Sequence, residues 1–454
     1  MSKVNPKKMK IAVIGGGISG LGCAWCLSAY HSVTLFERDS QFGGHAKTVF
    51  LKNEDGHIPI DVGFIVYNQR NYPNLVALFN HLGVRSEQSN MSFSFSNREH
   101  DLEYEGSLRG FLTQPKNLLK KRYRKMLLDI FRFFREAEKF LDNKGSTSLS
   151  LKEYLEIENY SDGFIYDHLL PMGASIWSAK CSDMLSFPAE TFINFFKNHA
   201  LLEPGARPKW MTVSGGSANY VNNVLSTFAG IPKLNCRVDS IERDCDGLIV
   251  EANNKRTRFD TVVFACHADQ ALEILGEQAT NAQRKILSSF RYAENLGVLH
   301  RDPALMPNRR RAWASWNFIS DSGVSDENIE QTKSVCVTYW MNKLQNIKSP
   351  ENLFVTLNPT QLIEKNKIID KFKYAHPQFD RKALAGQRDL PRIQGQGGLW
   401  FCGSYCGNGF HEDGLRAGLE VAKALGSPAP WFTGAIPGLA TTASSSGSFV
   451  KADQ

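Results

Sequence analysis

Short apolar runs and one helical stretch follow each other at the start of the chain. The apolar run Lys10–Ile14 leads into a glycine-rich turn, and a stretch with helical periodicity continues to about Tyr30. A second apolar run, Val33–Phe36, ends at Glu37. This order predicts a strand, a helix and a second parallel strand, which together form a nucleotide-binding unit.

The glycine-rich turn has the spacing that a dinucleotide requires. Gly15 allows a tight turn, Gly17 allows the backbone to approach a pyrophosphate, and Gly20 allows the helix to pack closely on the strand. The unpaired N–H groups of the helix N-terminus attract phosphate, and Glu37 can accept hydrogen bonds from a ribose diol. A purely structural turn is the alternative.

Two later glycine-containing segments favour a flavin over a nicotinamide. Gly43 and Gly44 follow the second strand closely, and backbone without a Cβ gives a bulky flavin room to lie against it. An ordinary loop is the alternative there. Near the C-terminus, the apolar run Leu399–Cys402 precedes a glycine-rich loop and a helix predicted from Leu415 to Leu425. A helix N-terminus at this point would stabilise the negative charge of a reduced flavin.

With these three segments, the chain resembles the flavin-containing amine oxidase superfamily. The resemblance covers most of residues 9–426 and is closest to a bacterial branch described as NAD/FAD-binding proteins. Relatives of this branch are associated with fatty-acyl modification, including desaturation of methyl-branched chains. The resemblance implies FAD as the cofactor. It also implies an α/β fold of two domains, with a Rossmann-like FAD-binding domain around a central parallel sheet and a discontinuous substrate or cap domain.

The resemblance and the glycine motifs together give a set of candidate cofactor-binding residues. They are Gly15, Gly17, Ser19, Gly20, Glu37, Arg38, Gly43, Gly44, His45, Asp61, Gly63, Phe64, Val238, Gly403, Ser404, Glu412, Asp413, Gly414 and Leu415. The superfamily usually has an acid where this chain has Ser404. It usually has Tyr or Trp in its aromatic cage, where this chain has Phe410, which suits a hydrocarbon at least as well as an amine.

Few acid–base groups stand out, as expected where the cofactor itself carries the chemistry. The catalytic candidates are His411, Glu412 and Tyr405, and for His411 a structural hydrogen bond in a tight loop is the alternative. The candidate substrate-pocket residues are Phe410, Tyr339, Trp340 and Trp316, although the aromatic residues of this region could also be ordinary sheet core. No metal site is predicted.

The elements divide the chain into two discontinuous domains. Residues 1–85, 205–275 and 386–426 are predicted to form the FAD-binding domain, and residues 86–204 and 276–385 the substrate or cap domain. Residues 427–454 are rich in Pro, Ser, Gly, Ala and Thr, which predicts a disordered tail.

The net charge of +7 is concentrated in one segment. Ten basic residues lie between Arg109 and Lys139, interleaved with aromatic and aliphatic residues, which predicts a basic amphipathic helix over 109–140. Such helices lie on anionic membranes, and the region Lys116–Lys125 is the predicted contact. A solvated helix face is the alternative. Nucleic acid is not an expected partner, because no recognition module accompanies the charge.

The remaining features predict a protein of the cytoplasm, peripheral on the inner face of the membrane. No apolar run reaches the ~18 residues that span a bilayer, and the first residues do not resemble a secretory signal. The nine cysteines have no disulfide spacing.

The sequence therefore predicts an FAD-dependent oxidoreductase that removes a hydride from a C–H bond. The expected substrate is a lipid or another apolar small molecule, with desaturation or oxidation of a methyl-branched or unsaturated fatty acyl chain as the reaction. One alternative is a flavin amine oxidase acting on a soluble amine. Another is a flavin-binding partner protein without turnover of its own. The electron acceptor stays open.

Overall fold

The computed structural model of the chain describes residues 8–54, 56–142, 149–203, 208–321 and 335–432. Its strands are β1 Lys10–Ile14, β2 Ser32–Phe36, β3 Thr48–Asn53, β4 Gly56–Asp61, β5 Val66–Asn68, β6 Ser86–Gln88, β7 Phe93–Asn97, β8 Leu102–Glu105, β9 Trp210–Val213, β10 Ile231–Lys233, β11 Val238–Asp244, β12 Gly247–Ala252, β13 Lys255–Phe259, β14 Thr261–Phe264, β15 Arg291–His300, β16 Trp316–Ser320, β17 Val337–Trp340, β18 Phe354–Leu357, β19 Ile368–Gln378 and β20 Leu399–Phe401. Its α-helices are α1 Ile18–Ser28, α2 Pro73–His81, α3 Lys121–Leu141, α4 Leu151–Ile157, α5 Asp162–Phe164, α6 Leu170–Trp177, α7 Cys181–Leu185, α8 Ala189–Asn198, α9 Ala218–Ser226, α10 Ala268–Leu275, α11 Asn281–Leu287, α12 Met341–Leu344, α13 Arg381–Asp389 and α14 His411–Ala424.

A parallel sheet in the order β10-β2-β1-β14-β20 forms the centre of the nucleotide-binding side. Side chains of β1 enter two different cores. Ile11 and Val13 pack on the face that α1 and α14 cover, and Ala12 and Ile14 pack on the opposite face with β11–β13 and α10. Because both faces are covered, residues 11–14 of the strand are all apolar rather than alternating. The predicted fold class, Rossmann-like α/β with a parallel central sheet, is confirmed.

Helices α1 and α14 lie against each other although they come from opposite ends of the chain. A Cβ added at Gly418 would lie 2.2 Å from the carbonyl oxygen of Ser19, so the two backbones are in direct contact. Helix α1 follows β1 and α14 follows β20. Since these strands are parallel, both helices begin at the same edge of the sheet.

A second sheet of seven strands, in the order β19-β15-β18-β17-β16-β7-β8, lies on the other side of the molecule. Helices α3 to α8 pack on it through a large aromatic and aliphatic core that includes Phe95, Phe133, Phe192 and Val337. The parallel sheet draws its strands from residues 10–36, 231–264 and 399–401, and the second sheet from residues 93–105 and 291–378. The domain boundaries themselves stay a prediction. The expected tail at 427–454 lies mostly outside the described residues.

Two predicted helices have different bounds in the structure. The basic helix expected over 109–140 begins only at Lys121, after two 3-10 turns, because Pro115 lacks an N–H group and disfavours helix in the residue before it. The C-terminal helix begins at His411 rather than Leu415, because the Asp413 carboxylate accepts a hydrogen bond from the N–H of Phe410 and so caps the helix at this earlier point. Within the described ranges, none of the helices is both long and apolar enough to cross a bilayer.

Replacing Gly418 by alanine tests the contact between α1 and α14. Alanine ordinarily stabilises a helix relative to glycine by roughly 1 kcal/mol. Here the added methyl group meets the Ser19 backbone, so we expect Gly418→Ala to lower the free energy of unfolding by about 1–3 kcal/mol. Denaturant unfolding measures the change. Gly106→Ala is the control, since its Cβ would approach only the Phe93 oxygen, at 3.4 Å. Stabilisation by Gly418→Ala would show that the helices are not in contact.

Candidate active site

A cavity of about 1780 Å³ extends between the two sheets. A site for one small ligand usually has about 300–1,000 Å³, so this cavity has room for a dinucleotide and a second ligand. We call its glycine-rich end the nucleotide cradle, formed by residues 15–19, 37–38, 43–45, 238 and 403–404. We call its other end the apolar chamber, lined mainly by Ile130, Phe133, Phe134, Phe164, Leu169, Met172, Ile176, Trp177, Phe195, Phe196, Trp316, Tyr339, Val355, Leu357, Phe372 and Phe410. The polar residues His168, Ser175, Ser178 and His199 lie among them.

Gly17 begins helix α1 at the wall of the cradle. Its φ of −75° and ψ of −177° are open to any residue, and a Cβ added there would meet no atom within 4 Å. Neither backbone strain nor packing within the protein therefore requires a glycine at this position. A bound group that must approach the backbone does require one. No side chain caps α1, so the N–H groups of its first turn can bind phosphate.

Glu37 lies at the tip of β2 and holds the turn in shape. The buried carboxylate accepts hydrogen bonds from the backbone N–H groups of Gly16, at 2.7 Å, and Asp39, at 2.9 Å. Each of its oxygens has a further lone pair, and the side chain lines the cavity. Glu37 can therefore bind a ribose hydroxyl while it fixes the first glycine turn.

The second glycine turn packs directly on the first. Gly43 and Gly44 have φ values of +118° and +56°, which L side chains rarely adopt. The N–H group of Gly43 donates to the carbonyl oxygen of Gly16 at 2.8 Å, and a Cβ added at Gly44 would lie 3.2 Å from Cα of Gly17. Both turns thus present bare backbone to the same cavity.

The C-terminal segment completes the cradle. A Cβ added at Gly414 would lie 2.8 Å from Oγ of Ser19, so the start of α14 touches the start of α1. Gly403 and Ser404 line the cavity beside them. The structure therefore brings together the three glycine-containing segments that are far apart in the sequence.

Comparison with known proteins decides the family. A family model described as flavin containing amine oxidoreductase matches residues 18–300. The chain belongs to this family. The protein is accordingly an FAD-dependent oxidoreductase, as predicted. No curated protein matches it by sequence.

Solved structures of low sequence identity share the fold. Cyclohexylamine oxidase from Brevibacterium oxydans superposes with a TM-score of 0.66 at 14% identity, covering 92% of this chain and 98% of that one. A CLA-producing fatty acid isomerase from P. acnes has a TM-score of 0.65 at 14% identity, covering 93% and 99%. A putrescine oxidase bound to putrescine has a TM-score of 0.63 at 14% identity, covering 92% and 99%. At these identities the likeness shows the fold alone.

The residues of the cradle fit FAD. The open space at Gly17 and the uncapped start of α1 suit a pyrophosphate, and Glu37 suits a ribose. Where the cradle meets the chamber, Nε2 of His45 and the hydroxyl of Tyr374 are buried without a hydrogen-bond partner among the described residues. The two rings stack at 4.9 Å. Unpartnered buried polar atoms are costly, and the polar groups of a flavin would satisfy them.

Most of the predicted site residues line this cavity. They are Gly15, Gly17, Ser19, Glu37, Arg38, Gly43, Gly44, His45, Gly63, Phe64, Val238, Gly403, Ser404, Tyr405, His411, Phe410, Tyr339 and Trp316. Seven others do not line it, and each has another structural role.

Glu412 caps a neighbouring helix instead of facing the cavity. One carboxylate oxygen accepts hydrogen bonds from the backbone and side-chain N–H groups of Asn74, at 3.0 and 2.7 Å, and the other accepts from the N–H of Leu75 at 3.0 Å. These are first-turn donors of α2, which need external acceptors. Glu412 therefore caps α2 in the structure, and its predicted catalytic and cofactor-binding roles stay predictions.

Asp61 and Asp413 also have protein partners in place of the cofactor. Asp61 accepts hydrogen bonds from the Thr48 hydroxyl at 2.6 Å, from Ser217, and from the Gln345 side chain at 2.9 Å. Asp413 accepts from the N–H of Phe410 at 3.1 Å and faces Arg416. Asp61 thus joins segments that are distant in sequence, whereas Asp413 caps the start of its own helix, α14.

The other four residues act through packing. Gly20, Gly414 and Leu415 lie where α1, α14 and the strand-to-helix turns touch, and a Cβ added at Gly20 would lie 1.8 Å from the Gly15 oxygen. Trp340 points away from the chamber, and its indole N–H donates to Asn352 at 3.1 Å. These four residues shape the site without lining it.

His411 does line the cavity, in a fixed orientation. Its ring stacks on Phe64 at 3.9 Å, and its Nε2 lies 2.6 Å from the Tyr220 hydroxyl. Burial raises the pKa of Tyr220 well above its ordinary value, so the phenol keeps its proton and can donate it to Nε2. Burial, with nearby His45, lowers the pKa of His411 to about 3. His411 is thus a neutral imidazole whose Nε2 is occupied.

Tyr405 lies beside Gly403 and is almost fully buried. Its ring packs against Phe290 at 4.8 Å, and its hydroxyl has no hydrogen-bond partner in the described part of the chain. Burial raises its pKa well above the ordinary value, so the phenol stays protonated and can act only as a donor or a neutral acceptor.

One wall of the site was not predicted from the sequence. Strand β19 contributes Phe372, Tyr374 and His376 to the cavity, at alternate positions on one face. His376 accepts a hydrogen bond from the Asn295 amide at 2.9 Å, and burial lowers its pKa to about 3. The alternation of aromatic and charged residues along 371–376 was the available signal.

Gly17→Val tests the cradle without disturbing the fold. The side chain enters open space in the unliganded protein, so we expect the variant to fold with an unchanged unfolding midpoint. It would fill the space that the cofactor needs, so we expect FAD affinity to fall at least tenfold. Flavin absorbance of the purified protein gives the FAD content, and circular dichroism gives the fold. Gly17→Ala should show a smaller loss, and wild-type FAD content in Gly17→Val would contradict the assignment.

The variant Glu412→Gln tests whether Glu412 caps helix α2 or acts as a catalytic acid. Burial raises the pKa of Glu412 from 4.5 to about 7. The folded protein therefore binds this proton more tightly than the unfolded chain, and the stability it contributes is lost as the pH rises from 4.5 through 7. We expect the stability of the wild type relative to Glu412→Gln to fall over this range by on the order of 3 kcal/mol.

The same variant should keep its FAD and change the rate of flavin reduction by less than tenfold, because Glu412 does not line the cavity. A much larger loss of rate with normal FAD content would restore Glu412 as a catalytic group. A stability difference that does not vary with pH would contradict the raised pKa.

Proposed function

We propose that this flavin-containing oxidoreductase acts on a fatty acyl chain, removing a hydride from a C–H bond of a methyl-branched or unsaturated chain. The observation that carries the proposal is the apolar chamber beyond the nucleotide cradle. Helices α3, α6 and α8 form one side of it, and strands of the seven-stranded sheet form the other. A fatty acid isomerase is among the proteins that share the fold, so the fold is compatible with an acyl substrate.

The chamber wall nearest to the C-terminal glycine loop is aromatic. Phe410 stacks on Phe195 at 5.0 Å with an interplanar angle of 21°, and Trp177 lies 6.3 Å from Phe410. Met172 and Ile176 continue the surface with flexible aliphatic groups. Such a surface gains free energy by covering a hydrocarbon, at about 25 cal/mol for each Å² removed from water.

Charge in the described part of the cavity also favours an apolar substrate over a cation. Its carboxylates belong to Glu37, Asp39, Glu203, Asp269, Glu273 and Glu294. Glu37 alone of these is buried, and it holds the first glycine turn. A protonated amine in the apolar chamber would lose its hydration without gaining a buried ion pair, which is unfavourable.

Bound FAD supplies a two-electron acceptor that takes a hydride from carbon. The chamber side chains exclude water and hold the acyl chain. Loss of a proton from the adjacent carbon would complete a new C=C bond, and this proton needs an acceptor. Nε2 of His45 is the candidate where the flavin leaves it unpartnered; burial, with His267, lowers its pKa to about 4, so the imidazole is neutral but only a weak base. His411 and Tyr220 fix the neighbouring wall.

Anaerobic mixing of the FAD-loaded protein with candidate substrates tests the proposal. We expect flavin absorbance to fall with branched or unsaturated fatty acyl lipids dispersed in detergent, and no peroxide to form in air with putrescine or cyclohexylamine. Peroxide from the amines with silent lipids would identify an amine oxidase. Absorbance that persists with every lipid and amine would indicate a flavin-binding protein without turnover.

A variant that fills the chamber sharpens this test. Met172→Trp places a large ring among the lining residues of α6, so we expect KM for a long acyl chain to rise at least tenfold with unchanged FAD content. Ile157→Trp is the matched control, because Ile157 is exposed and does not line the cavity. Equal KM values for the two variants would mean that the chain does not enter the chamber.

A further inference from the structure

The segment around the start of α3 exposes an unusual number of large apolar side chains. Six of the fourteen exposed large hydrophobic residues in the described structure lie within residues 108–131, namely Leu108, Leu112, Leu118, Leu119, Leu128 and Phe131. Leu119 and Leu128 are 81% and 70% exposed. Single exposed leucines are common, but a concentration of this kind marks an interaction surface. We call residues 108–131 the rim patch.

Lysines surround these leucines. Lys116, Lys120, Lys121 and Lys125 are exposed, and none has an ion-pair partner among the described residues. Two neighbouring arginines have structural roles, since Arg122 pairs with buried Asp167 at 2.7 Å and Arg124 donates to backbone carbonyls at 3.0 Å. The four lysines and exposed Arg109 are therefore the charges that face outward, with Asp101 near Lys120.

The acidic residue within the rim patch does not offset this charge. Asp129 accepts a hydrogen bond from the N–H of Ser161 at 2.9 Å and lies 3.6 Å from Arg132. Farther along α3, Glu138 pairs with Lys197 at 3.1 Å. The outer surface of the rim patch is consequently positive.

The rim patch lies at an opening of the active-site cavity. Leu108 and Phe131 both line the cavity and are 75% and 46% exposed, so the cavity reaches the surface between them. Behind them, Phe111, Ile130 and Phe134 continue the apolar lining toward the chamber. An apolar path thus connects the exposed leucines with the site of the proposed chemistry.

We propose that the rim patch docks this protein on an anionic phospholipid bilayer, with the leucines among the acyl chains and the lysines at the lipid phosphates. The leucines match the acyl-chain region of such a bilayer and the lysines match its phosphate region. A nucleic acid would match only the positive charge of the lysines. The opening would then face the bilayer, and an acyl chain could enter the chamber without crossing water. Entry of an acyl chain from the bilayer rests on the proposed function, but the docking itself does not.

Vesicle flotation with the FAD-loaded protein tests the docking. We expect binding to phosphatidylcholine vesicles that contain phosphatidylglycerol, and much weaker binding to phosphatidylcholine alone. The variant that combines Lys116→Glu, Lys120→Glu, Lys121→Glu and Lys125→Glu should bind at least tenfold more weakly at low ionic strength. The control combines Lys52→Glu, Lys255→Glu, Lys285→Glu and Lys382→Glu, which changes net charge equally at exposed positions elsewhere.

A second pair of variants isolates the apolar contribution. Leu119→Ser with Leu128→Ser should weaken binding about tenfold, an effect that should persist at high salt, because these side chains are exposed in the free protein and buried only in the bilayer. Ile157→Ser with Leu362→Ser is the matched control, at residues that are 61% and 100% exposed.

Absence of wild-type binding to the anionic vesicles, or equal losses in the patch and control variants, would overturn the docking. Flavin reduction by detergent-dispersed lipid, measured on the same samples, tests the proposed function separately. Failure of that reaction together with the expected vesicle binding would overturn the substrate and leave the docking standing.

Discussion

The backbone contact between α1 and α14 is the constraint on which the active site depends. A Cβ at Gly418 would lie 2.2 Å from the Ser19 carbonyl oxygen, and one at Gly414 2.8 Å from the Ser19 Oγ, so a larger residue would force the helices to shift. Because both helices follow strands of one parallel sheet, their N-termini open at the same edge. Gly43 and Gly44 then cover the remaining side with bare backbone. A dinucleotide in this cradle would therefore meet backbone groups that the fold holds in place before any ligand arrives.

The two ends of the cavity differ in chemistry because they are built on different sheets. The parallel sheet supplies turns and helix N-termini, whereas the seven-stranded sheet and helices α3 to α8 supply aromatic and aliphatic side chains. Buried His45, His376 and His411 all have lowered pKa values, so they stay neutral at the boundary. A neutral apolar chamber next to a flavin site explains why few acid–base groups are needed.

The sequence predicted the elements that depend on residues close together in the chain. The order of β1, α1, β2 and Glu37 is a local pattern, and the structure has these elements within two residues of the predicted bounds. The sequence did not predict that Glu412 and Asp61 bind Asn74 and Ser217, because these partners are distant in sequence, and an acid beside a glycine motif resembles a ligand. The chamber wall on β19 was missed for the same reason, since only tertiary packing brings Tyr374 to His45.

The measurement that tests the central claim most directly is reconstitution of the flavin-free protein with FAD and with FMN, followed by release and quantification of the bound flavin. The cradle described here binds the pyrophosphate and the adenosine half as well as the flavin. It predicts one FAD for each chain and little retained FMN. A protein that stays colourless with FAD, or that retains FMN equally well, would contradict the account.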